Sequence, residues 1–249
     1  MDDDELARML AEAAGRVLLE IQHTSAAPDG AGALREMGDR SSQATLARLL
    51  AEHRPDDAVL SEEAKDDPSR VMAPRVWIID PLDGTREFAE RRDDWAVHVA
   101  LWEAGDLVAG AVALPRLGMT LGADEPAKSW PDPSPLRIAV SRSRPTALVL
   151  AIAEELGAEL VPMGSAGFKA CAVVRGEVDA YLHTGGQYEW DSAAPVVVAR
   201  AAGLHVSRID GAPLRYNQPD PYLPDLMICN PLLAEDLLVR ARTHLESDQ

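Results

Sequence analysis

The chain has 249 residues, which is enough to bury a substantial core within one large domain. Its hydrophobic fraction of 47% and its mixed charges exclude a disordered chain and indicate a globular fold. The formal net charge of −17 argues against a nucleic acid polymer as partner, because binding a phosphate backbone requires a basic surface. A small anionic substrate is still compatible with this charge if bound cations reverse the local field.

The first half of the sequence predicts two helices followed by short strands. Apolar residues recur at helical spacing from Leu6 to Ile21, which predicts an amphipathic helix with one buried face. A loop rich in Gly, Ala and Pro is expected at 25–32, and a second helix is expected at 41–52, ending before Pro55. Strands are predicted at 58–61, from Val76 to Asp80, and at 95–102, 107–114 and 119–123.

The second half alternates between strands and helices after an irregular, Pro-rich segment at 125–135. Strands are expected at 136–140, 159–162, 178–182, 204–207 and 225–229. Helices are expected at 145–157, 166–175, 191–202 and 231–245. We therefore predict a single unit with an α+β half at about 5–135 and an α/β half at about 136–245, arranged as layered sheets and helices.

The two cysteines, Cys171 and Cys229, each lie in an apolar run. We expect them to be buried thiols, as in the reducing cytoplasm. The N-terminus is acidic and helical, so no signal peptide is expected. The sequence contains no run of about 18 apolar residues, so we expect no membrane-spanning segment. A cytoplasmic protein is the resulting expectation.

The segment W-I-I-D-P-L-D-G-T-R-E-F, residues 77–88, is the most informative motif. Asp80 and Asp83 follow a buried strand, and their charges would repel one another unless a cation neutralised them. Carboxylate oxygens are ligands that Mg²⁺ prefers, so the motif predicts a metal site. The alternative is an ordinary acidic turn, since Asp and Gly favour turns. The spacing fits neither the D-x-D of haloacid dehalogenases nor an EF-hand loop.

Two further acidic groups belong with this motif. Glu62 and Glu63 follow the strand at 58–61 and point to opposite sides, so one of them at most can reach the site. Asp191, in E-W-D-S-A-A-P, is predicted at the N-cap of a helix, from which it could reach into a cleft. Solvated surface acids and a simple helix cap are the alternatives.

These three blocks together resemble the signature of the inositol-monophosphatase-like, Mg²⁺-dependent and Li⁺-sensitive phosphatases, and the resemblance covers about residues 5–245. It implies the α-β-α-β-α sandwich that this family shares with fructose-1,6-bisphosphatase. The form D-G-T-R-E-F, with G-S-A-G-F-K (164–169) and D-G-A-P-L-R-Y-N (210–217), is similar to the CysQ-type 3'(2'),5'-bisphosphate nucleotidases of actinobacteria. Inositol monophosphatases more often have D-G-T-x-N-F.

The resemblance implies two Mg²⁺ ions. Glu62, Asp80 and the carbonyl of Leu82 would hold one ion, while Asp80, Asp83 and Asp191 would hold the other. The run L-R-E-M-G-D departs from the family's K-x-D-x-S-x-V-T pattern, so the loop for a third metal is expected to be shortened or rebuilt.

The resemblance also implies catalytic roles. Thr85 together with Glu62 would position the attacking water, and Asp39 would support the threonine. Backbone N–H groups of Gly84 and Thr85, at the start of a helix, would hold the phosphate with Asp83 and Asp191 alongside, as expected for a helix N-terminus. Direct displacement by water, without a phosphoenzyme, is predicted.

Candidates for binding the rest of a nucleotide are less specific. Arg86 could meet a second phosphate, although an i+4 pair with Glu90 would be an ordinary surface interaction. Lys169 is a comparable candidate, with a solvated helix lysine as its alternative. Tyr188 and Tyr222 could stack on a purine.

Three other polar residues have predicted places. Ser165 lacks the G-x-S-x-G context of a nucleophile and is predicted to be a helix N-cap. His98 lies within a strand and is expected in the core. His183 follows a strand and could line the cleft.

The resemblance thus implies a phosphatase that removes the 3'-phosphate of 3'-phosphoadenosine 5'-phosphate, and that could act on 3'-phosphoadenosine 5'-phosphosulfate in sulfur metabolism. Inositol 1-phosphate and fructose 1,6-bisphosphate are the alternative substrates, and a Mg²⁺- or nucleotide-binding sensor is the non-enzymatic alternative. The family resemblance also makes a homodimer a possibility.

Overall fold

The computed structural model describes residues 1–24, 30–124 and 127–247. Within these ranges the chain forms seven α-helices and ten strands. The helices are α1 (Asp3–Thr24), α2 (Gly30–His53), α3 (Thr85–Ala89), α4 (Ala147–Leu156), α5 (Ala166–Arg175), α6 (Glu189–Ala201) and α7 (Ala234–Ser247). The strands are β1 (Ala58–Ser61), β2 (Arg75–Asp83), β3 (Ala96–Glu103), β4 (Asp106–Leu114), β5 (Met119–Gly122), β6 (Arg137–Ser141), β7 (Glu159–Met163), β8 (Ala180–Tyr188), β9 (His205–Ser207) and β10 (Tyr222–Cys229).

The strands form two five-stranded mixed sheets. The first has the order β1-β2-β3-β4-β5, with β1 parallel to β2 and the other neighbours antiparallel. The second has the order β7-β6-β8-β10-β9, with β6 parallel to β7 and β8, and with β10 antiparallel to both its neighbours. The sheets lie on either side of residues 123–136 in the sequence, and the predicted boundary between two halves at about 135 stays a prediction.

Alternation along β2 explains why its sheet is covered on both faces. Trp77 and Ile79 pack with α1 and α2, whereas Val76 and Ile78 face α5, α6 and the second sheet. The far face of the second sheet packs against α4 and α7 through a third apolar cluster that includes Leu182. The order of layers is therefore α-β-α-β-α, which confirms the predicted sandwich.

Helix α2 differs from the prediction because it begins at Gly30 rather than at 41. Gly38, a poor helix former, lies within this helix and is required by packing: a Cβ there would lie 2.9 Å from Cδ2 of Leu82 and 2.8 Å from Cε1 of Phe88. Tertiary contact thus overrides the low helix propensity of glycine. The L-R-E-M-G-D run is helical, and the part of the predicted loop at 25–29 lies outside the described residues.

Other boundaries also shift. Strand β2 continues past Asp80 to Asp83, β8 extends to Tyr188, and β10 begins at Tyr222. The two glycines before Gln187 in β8 disguise its strand pattern, because glycine is rare within strands. Cys171 and Cys229 are buried and form no disulfide. Among the described residues, no helix is long and apolar enough to cross a membrane.

Candidate metal and phosphate site

A bulge in β2 brings the two aspartates of the D-P-L-D motif to one side of the sheet. Asp80 pairs with His98 of β3, and Asp83 pairs with Ala96, so two residues of β2 oppose one residue of β3. In a regular strand, residues three apart point to opposite faces. The extra residue corrects this by half a period, and both carboxylates can face the same cavity.

Asp80 is buried and only partly satisfied by the protein. Its Oδ1 accepts a hydrogen bond of 3.0 Å from the backbone N–H of Leu82. Its Oδ2 is buried without a hydrogen-bond partner among the described residues. Burial raises the pKa of Asp80 well above its ordinary value, and the charges of Glu62, Asp83 and Asp191 raise it further.

Asp83 has the opposite electrostatic environment because the N-terminus of α5 surrounds it. Its carboxylate accepts hydrogen bonds from the Ser165 hydroxyl (2.5 Å), the Ala166 N–H (3.2 Å) and the Gly167 N–H (2.6 Å). Burial opposes its ionisation, but His98 and these donors outweigh burial and lower the pKa of Asp83 to about 2. Ser165 is the N-cap of α5, as predicted.

His98 is fully buried, as predicted, but it also connects two parts of the site. Its Nε2 lies 3.2 Å from Oδ2 of Asp83, and its Nδ1 lies 3.0 Å from the carbonyl oxygen of Trp190. Burial alone would lower the pKa of His98, whereas its contact with Asp83 raises it overall. The imidazole therefore fixes the distance between the D-P-L-D motif and the first turn of α6.

Asp191 reaches the same cavity, although its place in the helix differs from the prediction. The N-cap of α6 is Tyr188, and Asp191 occupies the third helical position, where its Oδ2 accepts a hydrogen bond of 2.6 Å from the Tyr188 N–H. The predicted N-cap assignment is therefore wrong, because α6 begins two residues earlier than expected. Burial, with the charge of Asp83, raises the pKa of Asp191 to about 6.

The Glu62-Glu63 pair lies in the turn after β1 rather than on the strand, and only Glu62 of the two lines the cavity described below. Glu62 lies beside Asp80, and the partial loss of its hydration, with the charge of Asp191, raises its pKa to about 7. Glu63 is exposed, and its charge acts on Asp39 of α2. Burial and the charge of Glu63 raise the pKa of Asp39 to about 7, while nearby Arg35 opposes this.

The three aspartates form a cluster that fits a hard cation. One carboxylate oxygen from each of Asp80, Asp83 and Asp191 lies within 4.8 Å of the others. Asp80 and Asp191 have raised pKa values because they are buried and because the negative charges of the cluster crowd together. The unpartnered Oδ2 of Asp80 adds a buried acceptor, and a divalent cation would satisfy all of these requirements.

A cavity of about 650 Å³ opens over this cluster. Except for Asp39 and the two tyrosines proposed to stack on a purine, its walls include the remaining residues that the sequence predicted for the site. They are Glu62, Leu82, Gly84, Thr85, Arg86, Lys169 and His183. The structure thus brings these side chains to one cavity, and their individual roles stay predictions.

Gly84 shows why this turn requires glycine. Its φ of 90° lies in the left-handed region, and a Cβ would lie 3.1 Å from the Cβ atoms of both Ser165 and Trp95. The next residue, Thr85, begins α3 at the edge of the cavity.

The two candidate cations, Arg86 and Lys169, do not have the ordinary surface environments that were considered as alternatives for them. Arg86 is exposed and does not pair with Glu90, because Glu90 accepts from Arg142 instead. Lys169 is buried rather than solvated, and its Nζ donates to the carbonyl oxygens of Gly164 and Ser165. Burial lowers the pKa of Lys169, while Asp83 opposes this effect.

The tyrosines proposed to stack on a purine contact other aromatic side chains. Tyr188 stacks on Trp190 with ring centroids 4.8 Å apart, and Tyr222 packs edge-on against Tyr188 at 6.1 Å. Both tyrosines are exposed, and neither is among the residues that line the cavity. Their stacking on a base stays a prediction.

Sequence reasoning missed several groups that shape the cavity. Arg35, Arg142 and Arg144 line it, and Glu87 lies buried in its wall. The basic run S-R-S-R directly after β6 was a signal for the last two arginines, since polar side chains at strand ends often line sites. No local signal pairs Arg142 with Glu87, which is 55 positions away.

Comparison with known proteins agrees with this geometry. The sequence profile of the inositol monophosphatase family matches residues 3–245. This chain belongs to that family. A 3'-phosphoadenosine 5'-phosphate phosphatase of Mycobacterium leprae is 52% identical in sequence to this chain. The alignment covers 96% of this chain and 93% of the relative.

More distant relatives extend the comparison. The 3'(2'),5'-bisphosphate nucleotidase CysQ of Escherichia coli O157:H7 is 30% identical, over 86% of this chain and 94% of its own. The crystal structure of CysQ from Bacteroides thetaiotaomicron superposes with a TM-score of 0.76 at 27% identity, covering 92% of this chain and 97% of that chain. Inositol monophosphatase II of Staphylococcus aureus gives a TM-score of 0.82 at 21% identity, covering 98% and 94%, which shows the shared fold.

Proposed function

We propose that this protein is a Mg²⁺-dependent phosphomonoesterase that hydrolyses the 3'-phosphate of 3'-phosphoadenosine 5'-phosphate to give AMP and phosphate. The observation that carries the proposal is the convergence of Asp80, Asp83 and Asp191 within 4.8 Å, beneath a cavity large enough for a nucleotide. The 52% identity to a phosphatase of that name supports the choice of substrate.

The carboxylates of the cluster would hold the metal. We assign Glu62, Asp80 and the carbonyl of Leu82 to one Mg²⁺, and Asp80, Asp83 and Asp191 to a second, with Asp80 shared. Together the bound cations would lower the pKa of the attacking water and neutralise charge on the phosphoryl oxygens. Asp83 is prepared for this role because α5 holds its carboxylate ionised and fixed.

Protein groups around the cluster would orient the water and the phosphate. Glu62 and Thr85 both line the cavity, where together they would position the attacking water. Asp39 lies on α2 beside Glu63 and Arg35, and its support of Thr85 is part of the proposal. The N–H groups of Gly84 and Thr85 would hold the phosphate, and water would displace the nucleotide directly.

Several finer assignments belong to the same proposal. 3'-Phosphoadenosine 5'-phosphosulfate would be a second substrate, because it carries the same 3'-phosphate. Arg86 and Lys169 would contact the nucleotide. We also propose a cytoplasmic location, supported by two cysteines without a disulfide, and a homodimer that size-exclusion chromatography with light scattering would test.

The test is phosphate release from 3'-phosphoadenosine 5'-phosphate, inositol 1-phosphate and fructose 1,6-bisphosphate at equal concentrations. We expect the nucleotide to be hydrolysed with a kcat/KM at least tenfold above either alternative, activity to vanish in EDTA, and Li⁺ to inhibit. A preference for inositol 1-phosphate would replace the proposed substrate, and activity that persists in EDTA would reject the metal.

A further inference from the structure

Arg142 lies in the wall of the cavity, directly after β6. Its Nη2 donates to Oε1 of Glu87 at 2.9 Å and to Oε2 of Glu90 at 2.7 Å. Its Nε and Nη1 make no hydrogen bond with any residue that the structure describes. One corner of the guanidinium is therefore fixed to the protein, and the other N–H groups stay available for a ligand.

Glu87 is the anchor of this arrangement because it is itself buried. It is the third residue of α3, and only 8% of its surface is exposed. A Cβ on Gly164 would lie 2.2 Å from Cγ of Glu87, so glycine at 164 is what leaves room for the glutamate. A buried carboxylate needs a cationic partner, and Arg142 supplies it.

The backbone fixes the arginine from the other side. The N–H of Arg142 donates to the carbonyl oxygen of Met163 at 3.1 Å. Met163 and Gly164 lead directly to Ser165, whose hydroxyl binds Asp83 of the acidic cluster. The D-G-T-R-E-F and G-S-A-G-F-K segments thus act together to position one arginine in the wall of the cavity that opens over the acidic cluster.

Other cations of the cavity are less suited than Arg142 to hold a second anionic group of the substrate in a fixed orientation. Lys169 already donates to two backbone carbonyls and lies over the ring of Tyr181 at 5.3 Å. Arg86 and Arg144 are exposed, as Arg142 is, but their side chains form no ion pair with the described residues, so their guanidinium groups are not held in one orientation. A guanidinium fixed in advance loses less entropy when it binds a phosphate.

We propose that Arg142 is a specificity-determining residue that receives the second anionic group of the substrate, the one that is not hydrolysed, and that Glu87 is its positioning residue. This inference rests on the proposed function. A neutral side chain at position 87, such as the asparagine of the D-G-T-x-N-F form, would leave Arg142 without its buried charged partner. The glutamate of D-G-T-R-E-F would therefore select for substrates with two anionic groups.

The test compares 3'-phosphoadenosine 5'-phosphate with adenosine 3'-phosphate, which has the same scissile phosphate but no 5'-phosphate. We expect R142A to lower the ratio of the two kcat/KM values by about 10- to 100-fold, mainly through KM for the bisphosphate. R142K should retain part of the ratio, and E87Q should lower it by about 5- to 10-fold. R240A is the matched control, because Arg240 is also held by two carboxylates, Asp236 and Glu155, but lies outside the cavity.

An unchanged ratio in R142A, or a larger decrease in R86A than in R142A, would overturn the assignment. Thermal unfolding monitored by circular dichroism would identify a variant that fails to fold, and R142K and E87Q then decide the question. A wild-type protein that hydrolyses neither nucleotide would contradict the proposed function alone. Calorimetric titration with AMP needs no hydrolysis: at least tenfold weaker binding to R142A supports the role of Arg142, and equal binding rejects it.

Discussion

The acidic residues of the cluster bind protons as well as cations, and this gives the site a characteristic pH dependence. The pKa values of Asp191 (about 6) and Glu62 (about 7) are raised above those of an unfolded chain. Between about pH 4 and pH 7 the native state therefore binds more protons than the unfolded state, and the free energy of unfolding falls as the pH rises. The lowered pKa of Asp83 acts in the opposite direction, but only below about pH 4.

We predict that in EDTA the melting temperature falls between pH 5 and pH 8, and that Mg²⁺ raises it more at pH 8 than at pH 5. Cations should bind more tightly at the higher pH because they no longer compete with protons. Differential scanning calorimetry at several pH values measures both effects. D191N should flatten the slope in EDTA; an identical slope in D191N and wild type would contradict this account.

At this scale the sequence predicts the acidic residues well, because Asp80, Asp83 and Asp191 lie within short motifs of defined spacing. The sequence does not predict how the surrounding protein shifts the pKa of each acidic residue. The low pKa of Asp83 depends on His98 and on the N-terminus of α5, which come together only in three dimensions. The ion pair of Arg142 with Glu87 likewise requires the tertiary fold.

Helix α2 shows how elements are fixed by their neighbours. Gly38 lies against Leu82 and Phe88, next to the D-P-L-D turn, whereas a Cβ on Gly32 of the same helix would meet no atom within 4 Å. A methyl group therefore has opposite consequences at the two positions. At Gly38 it must displace packed side chains, and at Gly32 it only restricts the unfolded chain.

We predict that G38A lowers the free energy of unfolding by about 1–3 kcal/mol and reduces kcat, because Leu82 moves with the metal site. The matched variant G32A should be neutral or stabilising by up to about 1 kcal/mol, with unchanged kcat. Urea denaturation and steady-state kinetics measure the two quantities. Equal effects of the two substitutions would show that the close packing at Gly38 is unimportant.

Elements with strong periodicity were predictable, whereas those set by packing were not. Helix α1 and strands β3 and β4 follow the predicted patterns closely. The bulge in β2 was not predicted, because the sequence pattern indicated that the strand ends at Asp80. This bulge lets Asp80 and Asp83 face the same cavity. The α6 start was also misplaced, because Tyr188 is an unusual N-cap.

For the whole molecule, the layer of helices α5 and α6 between the two sheets should make unfolding cooperative. Helices α5 and α6 share one apolar cluster with both sheets, including Val112 of the first sheet and Leu226 of the second. Each sheet would expose a large apolar face without this layer. The two halves of the sequence should therefore not be independent folding units.

We predict a single unfolding transition in urea, with coincident curves from far-UV circular dichroism and tryptophan fluorescence. A fragment of residues 1–135 should lack cooperative unfolding, because α5 and α6 are absent from it. Two separate transitions, or a stably folded fragment, would show that the halves are true domains.

Acidic groups that are distant in the sequence should together bind the divalent cations on which hydrolysis depends. Anomalous diffraction from crystals soaked in Mn²⁺ tests it most directly, because Mn²⁺ accepts the same oxygen ligands as Mg²⁺. We expect two anomalous peaks between Asp80, Asp83 and Asp191, and we expect Glu62 to be a ligand of one of the two ions. Crystals of D80N should show no peaks at this position. Strong Mn²⁺ peaks elsewhere, with none among these aspartates, would contradict it.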